Sequence, residues 1–176
     1  DDCRLLCLIG PGGVGKTRLA RRAMQLMAAG FADGAAFVPL EDVAGTAEVG
    51  TQLAAALGLA LSGKGASLDE VRRLLAPRHA LLVLDNFEQL AAEAAWLDEL
   101  VRDAPRLKLI VTSRVRPLAR CVWTLPIEGL PCPEVEDGDR LESFDAARLF
   151  VKAELRVGPA LVPAAEAAAI VDICRL

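Results

Sequence analysis

A three-layer α/β domain, with a mostly parallel five-stranded sheet between layers of helix, is the fold class this sequence predicts. Three observations carry that expectation. Short continuous apolar runs alternate with stretches of helical period, the pattern of parallel strands joined by crossover helices. The first apolar run opens directly onto a glycine-dense segment, GPGGVGKTRL at 10–19, which marks a strand-to-helix turn. The chain has 176 residues, 53% of them hydrophobic. That is enough for one domain burying about 70% of its unfolded surface.

RLLCLI (4–9) is a continuous apolar run ending in glycine, which suits a strand buried on both faces. A helix over 15–29 follows, closed by Gly30 near its C-terminus. GAAFVPL (34–40) reads as the second strand. Helical stretches then occupy about 46–58 and 67–76, the first with Val49, Leu53 and Leu57 on one stripe. ALLVLD (80–85) is the strongest strand pattern, and a helix over 88–103 places Leu90, Ala94, Leu97 and Val101 on one face. RLKLIVTSR (106–114) and CVWTLPI (121–127) supply two more strands.

Residues 131–142, PCPEVEDGDRLE, break the alternation with two prolines and several acids, and read as a solvated connector. Two helices close the chain and begin a helical subdomain. The first takes Ser143 as its N-cap and buries Phe144, Ala147, Val151 and Leu155. The second starts near Pro163, a residue suited to the first helical position. The predicted organisation is an α/β domain over 1–130, a connector over 131–142 and the start of a helical subdomain over 143–176. The last helix stops at VDICRL without a cap, so the sequence reads as a piece of a longer chain.

A net charge of −4 gives this segment no bulk attraction for nucleic acid. No apolar stretch approaches the ~20 residues of a membrane span. The acidic start, running straight into the glycine loop, does not read as a signal peptide. Cys3, Cys7, Cys121, Cys132 and Cys174 form no CxxC pair, and His79 is the single histidine, so zinc lacks ligands at usable spacing. Free thiols in a cytoplasmic protein are the expectation.

The pattern G-x-x-x-x-G-K-[ST] is met by Gly10, Gly15, Lys16 and Thr17, between a predicted strand and a predicted helix. This makes the fold a P-loop NTPase. Glycines let consecutive backbone N–H groups turn inward around a phosphate, and the helix start adds its positive dipole end. The residues expected to touch nucleotide are Gly10, Pro11, Gly12, Gly13, Val14, Gly15, Lys16, Thr17 and Arg18. Lys16 supplies an ammonium for the β- and γ-phosphate oxygens, and the Thr17 hydroxyl a ligand for Mg²⁺. One of only four lysines in the chain stands at this position.

Asp85, at the end of a buried strand, is the candidate second ligand for the metal. Asn86 follows it, where many hydrolytic P-loop proteins place an acid to polarise the attacking water. Glu88 is the next acid; it either substitutes in that role or opens the following helix, where a carboxylate suits the dipole. Hydrolysis is therefore expected to be slow. Thr112, Ser113 and Arg114 end another core strand at the carboxyl edge, where ligands of open α/β sheets gather. Arg114 is the candidate γ-phosphate sensor, and Thr112 and Ser113 are candidates to bond the nucleotide or its water. Arg21 and Arg22 read as a solvated face of the first helix. No N-K-x-D or T-K-x-D segment is present, which favours ATP over GTP.

RLLCLIGPGGVGKTRLA, ALLVLDNFEQL, LIVTSR and the later GLPCPE…DAARLFVKAE together resemble the core of the STAND signalling ATPases. The similarity is greatest to the NB-ARC-related core of bacterial LuxR-type and SARP-type transcription regulators. It implies a regulatory switch: ADP holds a closed monomer, and ATP with an inducer opens it for self-assembly. It also implies flanking effector domains, often DNA-binding, and helical repeat sensors in the parent chain. Lys16 and Thr17 match that family's Walker-A pair, Asp85 its Walker-B acid and Arg114 its sensor arginine. The family's later G-L-P-L block has no counterpart here, since GLP at 129–131 lies on the connector.

The function expected is thus an ATP- and ADP-binding switch core using Mg²⁺, with weak ATPase activity. A small-molecule kinase is the alternative that Arg72, Arg73 and Arg78 keep open as lid residues. An AAA-type oligomer would need an arginine finger, for which Arg116 and Arg120 are candidates.

Overall fold

A computed structural model describes residues 3–59, 65–133, 140–141, 143–154 and 167–174. The chain divides into two compact units, residues 1–128 and 129–176. In the first unit five strands form one sheet: β1 (Leu5–Ile9), β2 (Ala35–Pro39), β3 (Leu81–Asp85), β4 (Lys108–Ser113) and β5 (Trp123–Pro126). Their order is β2-β3-β4-β1-β5, and every pairing is parallel.

The register explains why the strands read as unbroken apolar runs. Leu109 lies opposite Leu5 on one side and Leu82 on the other, and Val111 opposite Cys7 and Leu84. These residues face one buried cluster, built with α2 (Thr46–Leu57), α3 (Leu68–Leu75) and α4 (Ala95–Asp103). Leu8, Leu81, Val83 and Ile110 alternate to the opposite face and meet Ala20 and Met24 of α1 (Lys16–Met27). Period-two alternation with both faces covered demands apolar side chains at every position. This is the predicted three-layer fold, with α1 on one face of the sheet and α2, α3 and α4 on the other.

The predicted helix over 88–103 is two pieces. Phe87–Glu93 is a 3₁₀ segment, and α4 begins only at Ala95. Phe87 and Leu90, three residues apart, are both buried, a spacing that 3₁₀ geometry stacks on one side. The carbonyl of Ala91 accepts the N–H of Leu118 at 2.8 Å. Leu90, Ala94, Leu97 and Val101 are nonetheless all buried, as the stripe predicts. Gly30 ends a short 3₁₀ turn, Ala28–Gly30, rather than capping α1 itself.

In the second unit α5 (Asp145–Glu154) and α6 (Ala167–Cys174) share an apolar cluster of Leu141, Ala147, Ile170 and Val171, with Phe144 and Val151 against it. α5 starts after Phe144, whose carbonyl accepts the Arg148 N–H at 3.0 Å, one residue later than the predicted Ser143 cap; the Ser143 hydroxyl donates to the carbonyl of Arg140 at 2.7 Å. Leu155, Pro163 and most of the connector lie outside the described residues. All five cysteines are free, and burial pushes the Cys7 and Cys121 thiols up to about 11. No helix among the described residues is long and apolar enough to cross a membrane.

Candidate functional site

The carboxyl ends of β1, β3 and β4 meet beneath the N-terminus of α1. The buried polar side chains of the described residues all lie here: Lys16, Asp85, Thr112 and Ser113. Apolar burial accounts for the rest of the core, so this concentration needs a chemical reason.

The loop between β1 and α1 is shaped by its glycines in two ways. Gly13 and Gly15 have φ of 79° and 99°, with open space where a Cβ would stand. Backbone conformation, rather than crowding, requires glycine at both. Gly10 is the reverse case, since a Cβ there would run into the carbonyl oxygen of Ile127. The first turn of α1 has no side-chain cap and no acidic residue. Its N–H groups and dipole are thus left to an anion.

Lys16 is 9% exposed, and its ammonium donates to the carbonyls of Gly10 at 2.8 Å and Pro11 at 2.7 Å. Both partners are neutral. An ammonium withdrawn from water with no carboxylate beside it lacks a counter-charge, which a phosphate supplies. Asp85, 5% exposed, accepts the Thr17 hydroxyl at 2.8 Å and 3.1 Å on its two oxygens, and the Thr112 hydroxyl at 2.6 Å. Among the described residues no cation pairs with it. A hydroxyl and a carboxylate brought together at the foot of a phosphate loop fit the donor set of Mg²⁺, a hard ion held by few protein oxygens.

Thr112 is therefore committed to Asp85 and also accepts the Asn86 N–H at 3.1 Å. The Ser113 hydroxyl accepts from the N–H of Val115 at 3.2 Å, and its carbonyl from Gly10 at 3.3 Å. These bonds hold the loop and the acid in register. Asn86 has φ 60°, a conformation asparagine tolerates better than most residues, and its side-chain amide donates to Glu41 at 3.3 Å. That turn buries Phe87 and sets Glu88 toward the cleft, where its carboxylate pairs with the Arg114 guanidinium at 3.2 Å. Glu88 thus does more than open the following helix.

An open cleft of about 790 Å³ lies over the loop, with Lys16, Thr17, Arg18, Asn86, Glu88 and Arg114 in its wall. Arg21 and Arg22 are exposed, as the solvated-face reading expects, and also line this open cleft; the Arg21 guanidinium sits 4.1 Å over the Phe37 ring. An i, i+3, i+4 spacing from Arg18 was the available signal, since it puts all three on one side of α1. Of the other arginines, Arg72 pairs with Asp69 on α3 and with Glu99 and Asp103 on α4, and forms no part of the cleft. Arg73, Arg78, Arg116 and Arg120 also lie outside its wall.

Residues 4–130 match the NACHT domain. The chain is 34% identical over 177 residues to proteins named as HTH-type transcriptional regulators of Mycobacterium bovis and Mycobacterium tuberculosis, covering 98% of this chain and 18% of those. It is 39% identical over 115 residues to the regulatory protein AfsR of Streptomyces griseus, covering 61% of this chain and 11% of AfsR. The chain therefore spans less than a fifth of the length of these relatives. Among solved structures it is similar to the ORC2 protein of Aeropyrum pernix in its ADPNP–ADP complexes, with a TM-score of 0.51 and 17% identity over 69% of this chain and 41% of that one. That likeness concerns the fold. With the glycine loop, the parallel sheet and the family match in agreement, the chain belongs to the NACHT-domain family of P-loop NTPases.

Proposed function

We propose that residues 1–130 form the ATP- and ADP-binding switch core of a longer bacterial transcription regulator, close to the NB-ARC-like cores of LuxR-type and SARP-type proteins. One observation carries the reading most: a buried lysine with no carboxylate partner among the described residues stands beside a threonine–aspartate pair at 2.8 Å. In this arrangement the Gly12–Gly15 amides and Arg18 hold the phosphates, Lys16 the β- and γ-oxygens, and Thr17 with Asp85 the Mg²⁺. Bound Mg²⁺ neutralises charge on the phosphate oxygens. Arg114 faces the terminal phosphate, and Glu88 is the one acid of the cleft wall placed to orient water. With Asn86 directly after Asp85, hydrolysis is slow, as a switch with a long-lived bound state requires.

The relatives' lengths support flanking domains, and their names an effector for transcription; in this reading those domains and a sensor join beyond residue 130, in a cytoplasmic chain that assembles on binding ATP. The test is direct. Protein purified without added nucleotide is denatured and its extract weighed by mass spectrometry, then refilled protein is followed for phosphate release. ATP or ADP in the extract, with slow release needing no acceptor, is the expected result. A guanine nucleotide or an acceptor-dependent reaction would sink the proposal.

A further inference from the structure

We propose that Glu88 sets how strongly this site prefers a nucleoside triphosphate over the diphosphate, by competing with the terminal phosphate for Arg114. This rests on the reading of the cleft as a nucleotide site with Arg114 toward the terminal phosphate.

The two residues of the pair are held very differently. Glu88 is fixed: Asn86 turns the chain in the left-handed conformation, Phe87 is fully buried beside it, and the Glu88 side chain is only 26% exposed. Arg114 follows the last residue of β4, and its side chain is 65% exposed. Its guanidinium lies at the mouth of the loop, 3.5 Å from the position a Cβ on Gly12 would take. One carboxylate oxygen meets Nε at 3.2 Å; the other, Oε2, is buried with no hydrogen-bond partner. Glu88 thus has Arg114 as its one cation among the described residues, and it holds Arg114 by the Nε edge of the guanidinium.

A single contact between a half-solvated arginine and a carboxylate is a weak hold. A phosphate that takes the same Nε edge, with the neighbouring terminal nitrogen, makes two parallel charge-assisted bonds and wins the exchange. When it does, the Glu88 carboxylate loses its cation and is left beside added negative charge. Binding of a triphosphate therefore carries a penalty set by Glu88 that a diphosphate, which leaves the pair intact, does not meet. Glu88 acts here as a positioning residue, through Arg114.

The experiment is calorimetric titration of the full chain with ADP and with a non-hydrolysable ATP analogue, each with Mg²⁺, for the unmutated protein, Glu88→Gln, Arg114→Ala and the double variant. Removing the charge at 88 is expected to tighten the triphosphate at least threefold and change ADP less than twofold. Arg114→Ala is expected to bring the two affinities within threefold of each other and to make Glu88→Gln silent. Equal shifts for both nucleotides, a weaker triphosphate, or an effect of Glu88→Gln that survives without Arg114 would each overturn the proposal. Failure of the unmutated protein to bind either nucleotide would overturn the nucleotide reading itself, and this inference with it. Matching melting curves for all four proteins exclude a folding artefact.

Discussion

Along β3 and β4 the strand bodies and the strand tips are both hidden from water, yet different forces hold them. Leu81, Leu82, Val83 and Leu84 are at most 1% exposed and are held by packing on both faces of the sheet. One residue further, Asp85 is still buried, as are Thr112 and Ser113 at the end of β4. No packing gain compensates a carboxylate for leaving water. It is retained by two hydroxyl donors, and Lys16 by two carbonyls. The apolar bodies supply the stability that a costly arrangement at the tips draws on, as expected where a site must be built before its ligand arrives.

That contrast makes graded predictions. The largest effect belongs to a strand body: Leu82→Ala should lower the unfolding free energy by about 2–5 kcal/mol. Urea titration measures it, and the folded fraction should still bind ATP within twofold of the unmutated affinity. At a tip the pattern inverts. Lys16→Ala should weaken ATP at least tenfold, ~1.4 kcal/mol or more, in calorimetry. Its melting temperature should hold or rise, because a buried ammonium has been removed. A clear drop in melting temperature would instead make Lys16 part of the scaffold.

Asp85→Asn sharpens the division further. It keeps an acceptor for the hydroxyls but loses the charge, so most of the Mg²⁺ dependence of ATP binding should vanish while the fold persists. Equal ATP affinity with and without Mg²⁺ in the unmutated protein would remove the basis for that expectation.

The smallest effect concerns a carboxylate that serves the fold alone. Asp98 accepts the backbone N–H groups of Arg120 and Cys121, both at 2.9 Å, and so fixes the chain leading into β5. Burial opposes its ionisation, but those N–H groups outweigh it and hold the carboxyl below its ordinary 3.8. A depressed folded value means stability present above the unfolded value and lost as pH falls through the folded one. Asp98→Ala should therefore cost about 1 kcal/mol at neutral pH, and the difference should shrink in urea titrations below a pH of about 4.

Much of this was legible in the chain, for reasons that differ by residue. The strands announce themselves because a parallel sheet covered on both faces admits little but aliphatic side chains. The loop is legible because phosphate binding restricts consecutive residues: two glycines are fixed by backbone conformation, and the lysine and threonine follow at once. Pairings between distant residues left no local trace. Nothing near Thr112 says that its hydroxyl bonds Asp85, nor near Glu88 that Arg114 will stand against it. The break at Ala94 was equally hidden, since Phe87, Leu90, Leu97 and Val101 fit one helical stripe until the Leu118 N–H claims the Ala91 carbonyl. Ser143 has a capping residue's identity, but α5 starts only at Asp145, directly after Phe144.

Gly10 ties two distant points of the chain together. Its α-carbon lies against the carbonyl of Ile127, close enough to forbid any side chain, and the Ile127 N–H reaches the carbonyl of Ile9 at 2.7 Å. The root of the phosphate loop and the stretch by which the polypeptide departs from the sheet are thus a single mechanical joint. A side chain at residue 10 would therefore disturb the phosphate loop and the exit from β5 at once.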